Sequence, residues 1–422
     1  MNQFLTRRAL ARVLLLVAVV ATGCKKQELD DYYTEAGPQF PTFLSILPTP
    51  ATKYASGETV RFELQFVKQT DPVRQIVILQ KVEPGRDSVV AQTVPYAPAY
   101  SRIKRTDTLV VNYVVPVGAN KSLVRVDARV DSENGQTKTR SFFFRIAEAT
   151  PTIVLNSGPA NVTLPAGGAS APGDVVRYNV TLNAGGIGAA PLPPSIAVIP
   201  AGTLYKDLDS LVVYARVGTT AERRVVRLAL GTSGAALTRD VDVPLPAGSA
   251  GQPVALRFEA KVRTPLRTAS ASAAVLTPAA PVPFSATVRT ATLAFIGATG
   301  GDQAAYDLTT FALVPAAGPA ASKDLAISST AANAVQFRSL STGTRLVRST
   351  TAAYTTATLT GVRQAYQATA AASQLTTLDN IVVGDVIILR LRGLDQYAIV
   401  QVASISRTSA TDVSVGLNIK AI

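Results

Sequence analysis

The sequence predicts an all-β protein, with β-sandwiches in tandem followed by a distinct, mostly β C-terminal domain. Three observations carry this. Apolar and polar residues alternate with the two-residue period of half-buried strands in many short segments. Thr and Val favour pleated structure, while 28 Gly and 26 Pro punctuate it. A block of these segments recurs further along in the same order, the mark of a repeated module. The boundaries read from these signals are 1–23 for an export signal and 24–40 for a tether. Residues 41–147 and 148–277 then form two sandwiches, 278–283 a linker and 284–422 the last domain.

The chain opens with Arg7, Arg8 and Arg12, then the apolar run Val13 to Val20, then Ala21-Thr22-Gly23-Cys24. A basic start, a short apolar stretch and a small-residue cleavage site make a secretory signal. The run is too short to span a bilayer, which takes about 20 apolar residues. Cys24 is the sole cysteine. Its setting resembles the processing site of bacterial lipoproteins. That resemblance implies diacylation of the Cys24 thiol with palmitate-like chains, cleavage before it, and acylation of the new amino terminus. Two or three such chains suffice for stable anchoring. Lys25-Lys26-Gln27-Glu28-Leu29-Asp30-Asp31 resembles the charged tether of Bacteroidota lipoproteins. In some of these an acidic patch, here Glu28, Asp30 and Asp31, directs export to the outer face of the outer membrane. The expected address is the outer membrane, anchored through Cys24 and facing the cell surface. The periplasmic face is the alternative.

In the first module a turn at Tyr54-Ala55-Ser56-Gly57-Glu58 precedes Val60, Phe62, Leu64 and Phe66, which alternate with Arg61, Glu63 and Gln65. Ile76 to Leu79 and Thr108 to Tyr113 are further strands. Val124, Val126, Ala128 and Val130 alternate with charged residues. Asn134-Gly135 signals a tight turn, and Thr139 to Ile146 closes the module. The second module repeats this order. Ala171-Pro172-Gly173-Asp174-Val175-Val176-Arg177-Tyr178 parallels Ala55 to Phe62, and Ala255 to Val262 parallels Leu123 to Val130. A repeat of about 100 residues built of short strands resembles the immunoglobulin-like sandwiches of bacterial surface proteins. The cysteine pair and core tryptophan of antibody domains are missing.

Thr277-Pro278-Ala279-Ala280-Pro281-Val282-Pro283 reads as a stiff linker, because proline cannot donate to a ladder. Beyond it, Thr290 to Ile296, Ala334 to Leu340 and Thr344 to Arg348 predict strands. Gly361 to Leu378, rich in Ala and Gln, predicts either a helix or an irregular arm. Val382 to Leu391, the turn Gly393-Leu394-Asp395-Gln396 and Tyr397 to Val402 predict a hairpin, and Val413 to Ile419 the last strand. This domain resembles the C-terminal β domains of Bacteroidota surface lipoproteins. A remoter resemblance is to the haem-capturing HmuY-like proteins. Their iron ligands are histidines, and this chain has no histidine, so no haem and no other cofactor is expected.

Without histidine there is no Ser-His-Asp or Cys-His arrangement, and the usual zinc sites are absent. Enzymatic chemistry is left to carboxylates and lysines, and the expectation is a protein without catalytic activity. Asp207 and Asp209 have a spacing that can contribute to a calcium site, but no full calcium loop follows, and a solvated turn is the simpler reading. Asp302, Asp307 and Asp324 fall in the last domain, and a hydrolase would need two of them across a cleft. Glycine-rich Gly185–Gly188 and Gly297–Gly301 lack the Lys-Ser/Thr ending of a phosphate loop and predict turns. Tyr96, Tyr100, Tyr113, Tyr205, Tyr354, Tyr366 and Tyr397 offer rings for stacking, with Tyr354, Tyr366 and Tyr397 the candidate ligand-binding set. Core or sheet-edge positions are the plainer expectation for most of them.

The net charge is +13, and without Arg7, Arg8 and Arg12 it is +10. The basic residues are dispersed and no nucleic-acid motif accompanies them. These features predict a non-catalytic envelope lipoprotein, acting as a binding or structural scaffold for an envelope protein or a surface polysaccharide. The alternative is a glycan-binding accessory of a nutrient-uptake system, and after it a carboxylate-dependent hydrolase.

Overall fold

The computed structural model describes residues 40–41, 43–47, 51–67, 71–164, 168–231, 233–284, 287–331 and 334–421. The export signal, Cys24 and the tether before residue 40 lie outside the described residues. The chain divides into two compact units. One runs to Ala147 and includes Ala190–Ile199; the other comprises Glu148–Ala189 and Pro200–Ile422. The architecture is largely β throughout.

In the first unit one sheet orders its strands Phe43–Leu47, Thr59–Phe66, Thr106–Val114 and Ala99–Ser101, all antiparallel. A second sheet orders Lys53–Ala55, Thr137–Ala147, Leu123–Ser132, Val73–Val82 and Val89–Val94, antiparallel except for its first pair. The alternation read from the sequence decides which face is inward. Val60, Phe62, Leu64 and Phe66 from one sheet share a core with Val124, Val126, Ala128 and Val130 from the other. Phe62 meets Phe142 edge to face, with ring centroids 5.3 Å apart. Each such side chain removed from water contributes about 1.5–3 kcal/mol. Pro191-Leu192-Pro193-Pro194 groups with this unit, the Arg145 Nε donating to the Pro191 carbonyl at 2.7 Å.

The second unit starts with a sheet of Ile153–Asn161, Val175–Leu182 and Leu237–Pro244, and one of Arg223–Ala229, Leu208–Val217, Val254–Val262 and Arg267–Ser272. Their inward residues share one core, Tyr178 and Phe258 at its centre. The strand pairing repeats that of the first unit. Thr59–Phe66 lies between Phe43–Leu47 and Thr106–Val114, as Val175–Leu182 lies between Ile153–Asn161 and Leu237–Pro244. The repeated turn is also the same in its hydrogen bonds. Gly57 and Gly173 both adopt positive φ, +78° and +89°. Glu58 Oε2 accepts from the Ala55 amide at 2.8 Å, and Asp174 Oδ2 from the Ala171 amide at 2.9 Å. The following backbone bonds correspond as well, Val115 N to Glu58 O and Leu245 N to Asp174 O.

The last domain has two five-stranded sheets. One is ordered Arg289–Phe295, Val413–Ala421, Tyr397–Arg407, Val386–Arg390 and Arg345–Ser349; the other Ala312–Val314, Ala305–Asp307, Leu325–Ala331, Ala334–Arg338 and Thr377–Leu378. Both contribute to one core, in which Leu325, Phe337, Leu389 and Val415 are buried. The expected hairpin is present as Val386–Arg390 paired with Tyr397–Arg407. Two short helices interrupt the β pattern. Helix α1 spans Thr351–Thr355 and α2 spans Leu359–Ala368. Thr350 and Thr358 cap them, their hydroxyls accepting from the Ala353 and Gly361 amides at 3.2 and 2.9 Å. The predicted helix or arm over Gly361 to Leu378 is thus a helix in its first half and a two-residue strand at its end.

The segment 278–283 is held at both ends. The Ala279 amide donates to Ser170 O at 2.7 Å and the Gly251 amide to Pro278 O at 2.7 Å. The Val282 amide donates to Thr360 Oγ1 at 2.9 Å, and the Leu359 amide to Val282 O. Helix α2 adds a polar clasp. Gln364 Nε2 donates to Asp174 Oδ1 and to Pro172 O, both at 2.9 Å. Arg363 lies 3.7 Å from the fully buried Asp174.

Candidate functional site

Of the three carboxylates singled out in the last domain, Asp307 and Asp324 converge and Asp302 does not. Asp307 ends strand Ala305–Asp307, Asp324 immediately precedes strand Leu325–Ala331, and Arg392 follows strand Val386–Arg390. The pairing of Tyr306 with Leu325 brings the two aspartates to the same end of their sheet. Arg392 then reaches both. Its Nη2 lies 2.8 Å from Asp307 Oδ1 and 2.8 Å from Asp324 Oδ2, while its Nε donates to Asp324 Oδ1 at 3.1 Å. Arg392 holds φ +52°, a conformation uncommon for a side-chain-bearing residue.

The remaining lone pairs are also engaged. Asp324 accepts from Thr344 Oγ1 at 3.1 Å and from the Leu308 amide at 3.2 Å. Asp307 Oδ1 accepts from the Thr309 hydroxyl at 2.6 Å and from the Thr309 and Thr310 amides at 2.8 and 3.1 Å. Burial opposes ionisation of Asp307, but the Thr309 and Thr310 hydrogen bonds and Arg392 outweigh it and hold the carboxyl at about 2. A glycosidase needs one carboxylic acid kept protonated to donate to the leaving group. Here both carboxylates are consumed by one guanidinium, and Asp307 is ionised at any physiological pH. The cluster is a structural lock between three strand ends. Asp302 serves elsewhere, accepting from the Ala316 amide at 2.8 Å.

Asp209 pairs with Arg263 at 2.6 Å and with Arg227 at 3.7 Å, and accepts from Ser210. Asp207 and Asp209 flank the first residue of strand Leu208–Val217, where a solvated turn was the simpler expectation. Among the described residues no group of three or more potential ligands forms a metal site.

The structure brings Tyr354, Tyr366 and Tyr397 together, but inside a core. They are 8 %, 1 % and 1 % exposed and pack with Phe284, Val362 and Ile399. Tyr366 and Tyr397 meet edge to face at 5.6 Å. The Lys420 ammonium lies 4.6 Å from the Tyr354 ring centroid, an intramolecular cation–π contact. Rings so enclosed present no face to a sugar, so the expected binding role of this set gives way to packing. Tyr113 and Tyr205 are buried too, and Tyr96 packs on Phe66; Tyr100 is exposed. The candidate that residue type alone did not reveal is a cavity lined by Lys323 and Arg338. Their spacing of 15 positions carries no periodic signal.

No family model matches the chain, and no curated protein matches it. Solved structures similar to it include a DUF4466 family protein from Parabacteroides merdae, at 10 % identity and TM-score 0.22, covering 65 % of this chain and 99 % of that one. The FN1–FN3 domains of chicken CNTN1 match at 7 % identity and TM-score 0.23, over 56 % and 67 %. A segment of two fibronectin type III domains from chicken tenascin matches at 10 % identity and TM-score 0.19, over 56 % and 98 %.

Proposed function

We propose that this protein is a non-catalytic envelope lipoprotein, a scaffold of β modules that holds a binding domain on a lipid anchor. The observation that carries the reading is the order Arg7-Arg8, Arg12, apolar run, Ala21-Thr22-Gly23-Cys24 in front of a chain with no other cysteine. Acyl chains on Cys24 tie the mature protein to the outer membrane, with the acidic tether residues directing it to the cell surface. The lack of histidine, and the two aspartates spent on Arg392, support a role other than catalysis. No helix among the described residues is long and apolar enough to cross a membrane.

Growth with labelled palmitate tests the anchor. Label enters the wild-type chain and is absent from Cys24→Ser, which partitions into the soluble fraction. A Cys24→Ser chain that stays membrane-bound as before rejects the reading. Affinity capture from outer membranes in mild detergent tests the scaffold, the expected result being a recurring envelope protein or polysaccharide in the eluate.

A further inference from the structure

A cavity of about 190 Å³ lies in the last domain. Its floor follows from strand register. Val314 is paired with Ala305, Ala305 with Ala326 and Ala326 with Arg338, so four strands place one row of neighbours side by side. Cross-strand partners share a face of the sheet. Ala305, Val314 and Ala326 form a small buried apolar group apart from the main core. Two alanines in the row leave space that longer side chains would fill. The turn after strand Arg289–Phe295 supplies a wall through Thr299, Gly300 and Gly301. Gly300 has φ +87°, and a Cβ there would come within 2.8 Å of the Phe295 ring, so glycine lets the backbone pass close to that ring.

The charge lining this space is one-sided. Lys323 and Arg338 line it, and no carboxylate does. Lys323 is only 8 % exposed. Its Nζ donates to the Ala316 carbonyl at 2.8 Å, which uses one of the three donors of an ammonium. No carboxylate among the described residues forms an ion pair with either cation. A buried cation without a counter-charge is costly, and an anion in the cavity removes that cost. Ser328 and Thr299 line the same space, and the Ser328 hydroxyl, which donates to Gln336 Oε1 at 3.1 Å, keeps its lone pairs. The volume exceeds tenfold the roughly 10–15 Å³ that one water needs, yet it falls below the roughly 300 Å³ of drug-sized sites. One ring-sized group is the scale it suits.

We propose that this cavity binds a single acidic sugar residue, a uronic acid at the end of a polysaccharide chain. The carboxylate lies between Lys323 and the Arg338 guanidinium, whose fork can engage both oxygens. The ring hydroxyls meet Ser328, Thr299 and the glycine backbone. The apolar face of the ring lies on the alanine floor and Phe295. The inference rests on the reading of the last domain as the binding end of the scaffold, and is independent of the lipid on Cys24.

The test is calorimetric titration of the full-length protein in low salt with glucuronate, glucose and inorganic sulfate. Glucuronate gives a saturable heat that weakens with added sodium chloride, and glucose gives none. Arg338→Gln, at an exposed position, and Lys323→Met each lower the glucuronate affinity about tenfold or more, as loss of a charge-assisted hydrogen bond implies. Circular dichroism checks that each variant is folded. The proposal is overturned if glucuronate gives no saturable heat, if it binds Arg338→Gln as tightly as wild type, or if sulfate binds as tightly as glucuronate. Any of these leaves palmitate labelling of Cys24 unchanged, so the two readings fail separately.

Discussion

At the scale of single residues, Arg392 and Tyr178 make opposite predictions from the same rule about buried polar groups. Arg392 is the counter-charge of Asp324, which is fully buried, and of Asp307. Breaking such a cluster strands buried carboxylates, so Arg392→Met is expected to lose about 3–5 kcal/mol, read as a lower urea midpoint. A variant as stable as wild type would show that the lock is slack. The same cluster sets an acid limit. Asp307 has a folded value of about 2 against an ordinary 3.8. Its contribution is therefore complete above about pH 4 and is lost as pH falls through about 2. Urea midpoints should drop over that window in wild type and drop less in Asp307→Asn. Tyr178 is the reverse case. Burial pushes its hydroxyl up to about 12, and the hydroxyl finds no hydrogen-bond partner among the described residues. The corresponding residue of the first module is Phe62. Tyr178→Phe should be neutral or up to about 1 kcal/mol stabilising. Tyr113→Phe should cost about 1 kcal/mol, because that hydroxyl donates to Gln80 Oε1 at 2.7 Å.

At the scale of elements, the repeated turn separates backbone strain from packing. Gly57 and Gly173 share positive φ, but a Cβ at Gly57 meets nothing within 4 Å, whereas one at Gly173 comes within 2.8 Å of Gln364 Oε1. Gly57→Ala is expected to cost about 1–2 kcal/mol from the left-handed backbone alone. Gly173→Ala should cost more, because Gln364 must also leave Asp174. Two urea titrations compare them, and equal losses would mean that α2 is not held by this turn. The strands were readable where side chains alternate cleanly, as in Thr59–Phe66 and Leu123–Ser132. Strands such as Val89–Val94 and Arg267–Ser272 carry half-exposed, weakly alternating residues and gave no such signal. Helix α2 was ambiguous because Ala, Thr and Gln serve helix or loop equally. Its position became definite only through the Thr358 cap and burial of Val362 and Tyr366.

At the scale of the molecule, the proline-rich segment 278–283 is not a loose spacer. Its backbone bonds and the Gln364–Asp174 clasp tie the second sandwich to the last domain within one compact unit. Limited proteolysis should therefore cut slowly near 278–283, and faster in an Asp174→Ala, Gln364→Ala double variant. Rapid cutting of the wild-type chain there would contradict the clasp. Composition and local order were enough for the largely β class and the repetition of β modules, and for the expectation of a lipid at Cys24. Each depends on residues near one another in the chain, where periodicity and motif act directly. Only the tertiary structure decided that Asp307 and Asp324 meet on Arg392, that the three tyrosines face inward, and that Lys323 and Arg338 share a cavity. Those outcomes depend on strand register between distant segments. A shift of one residue reverses the face of every side chain, and no local pattern in this chain records which partner each strand chooses.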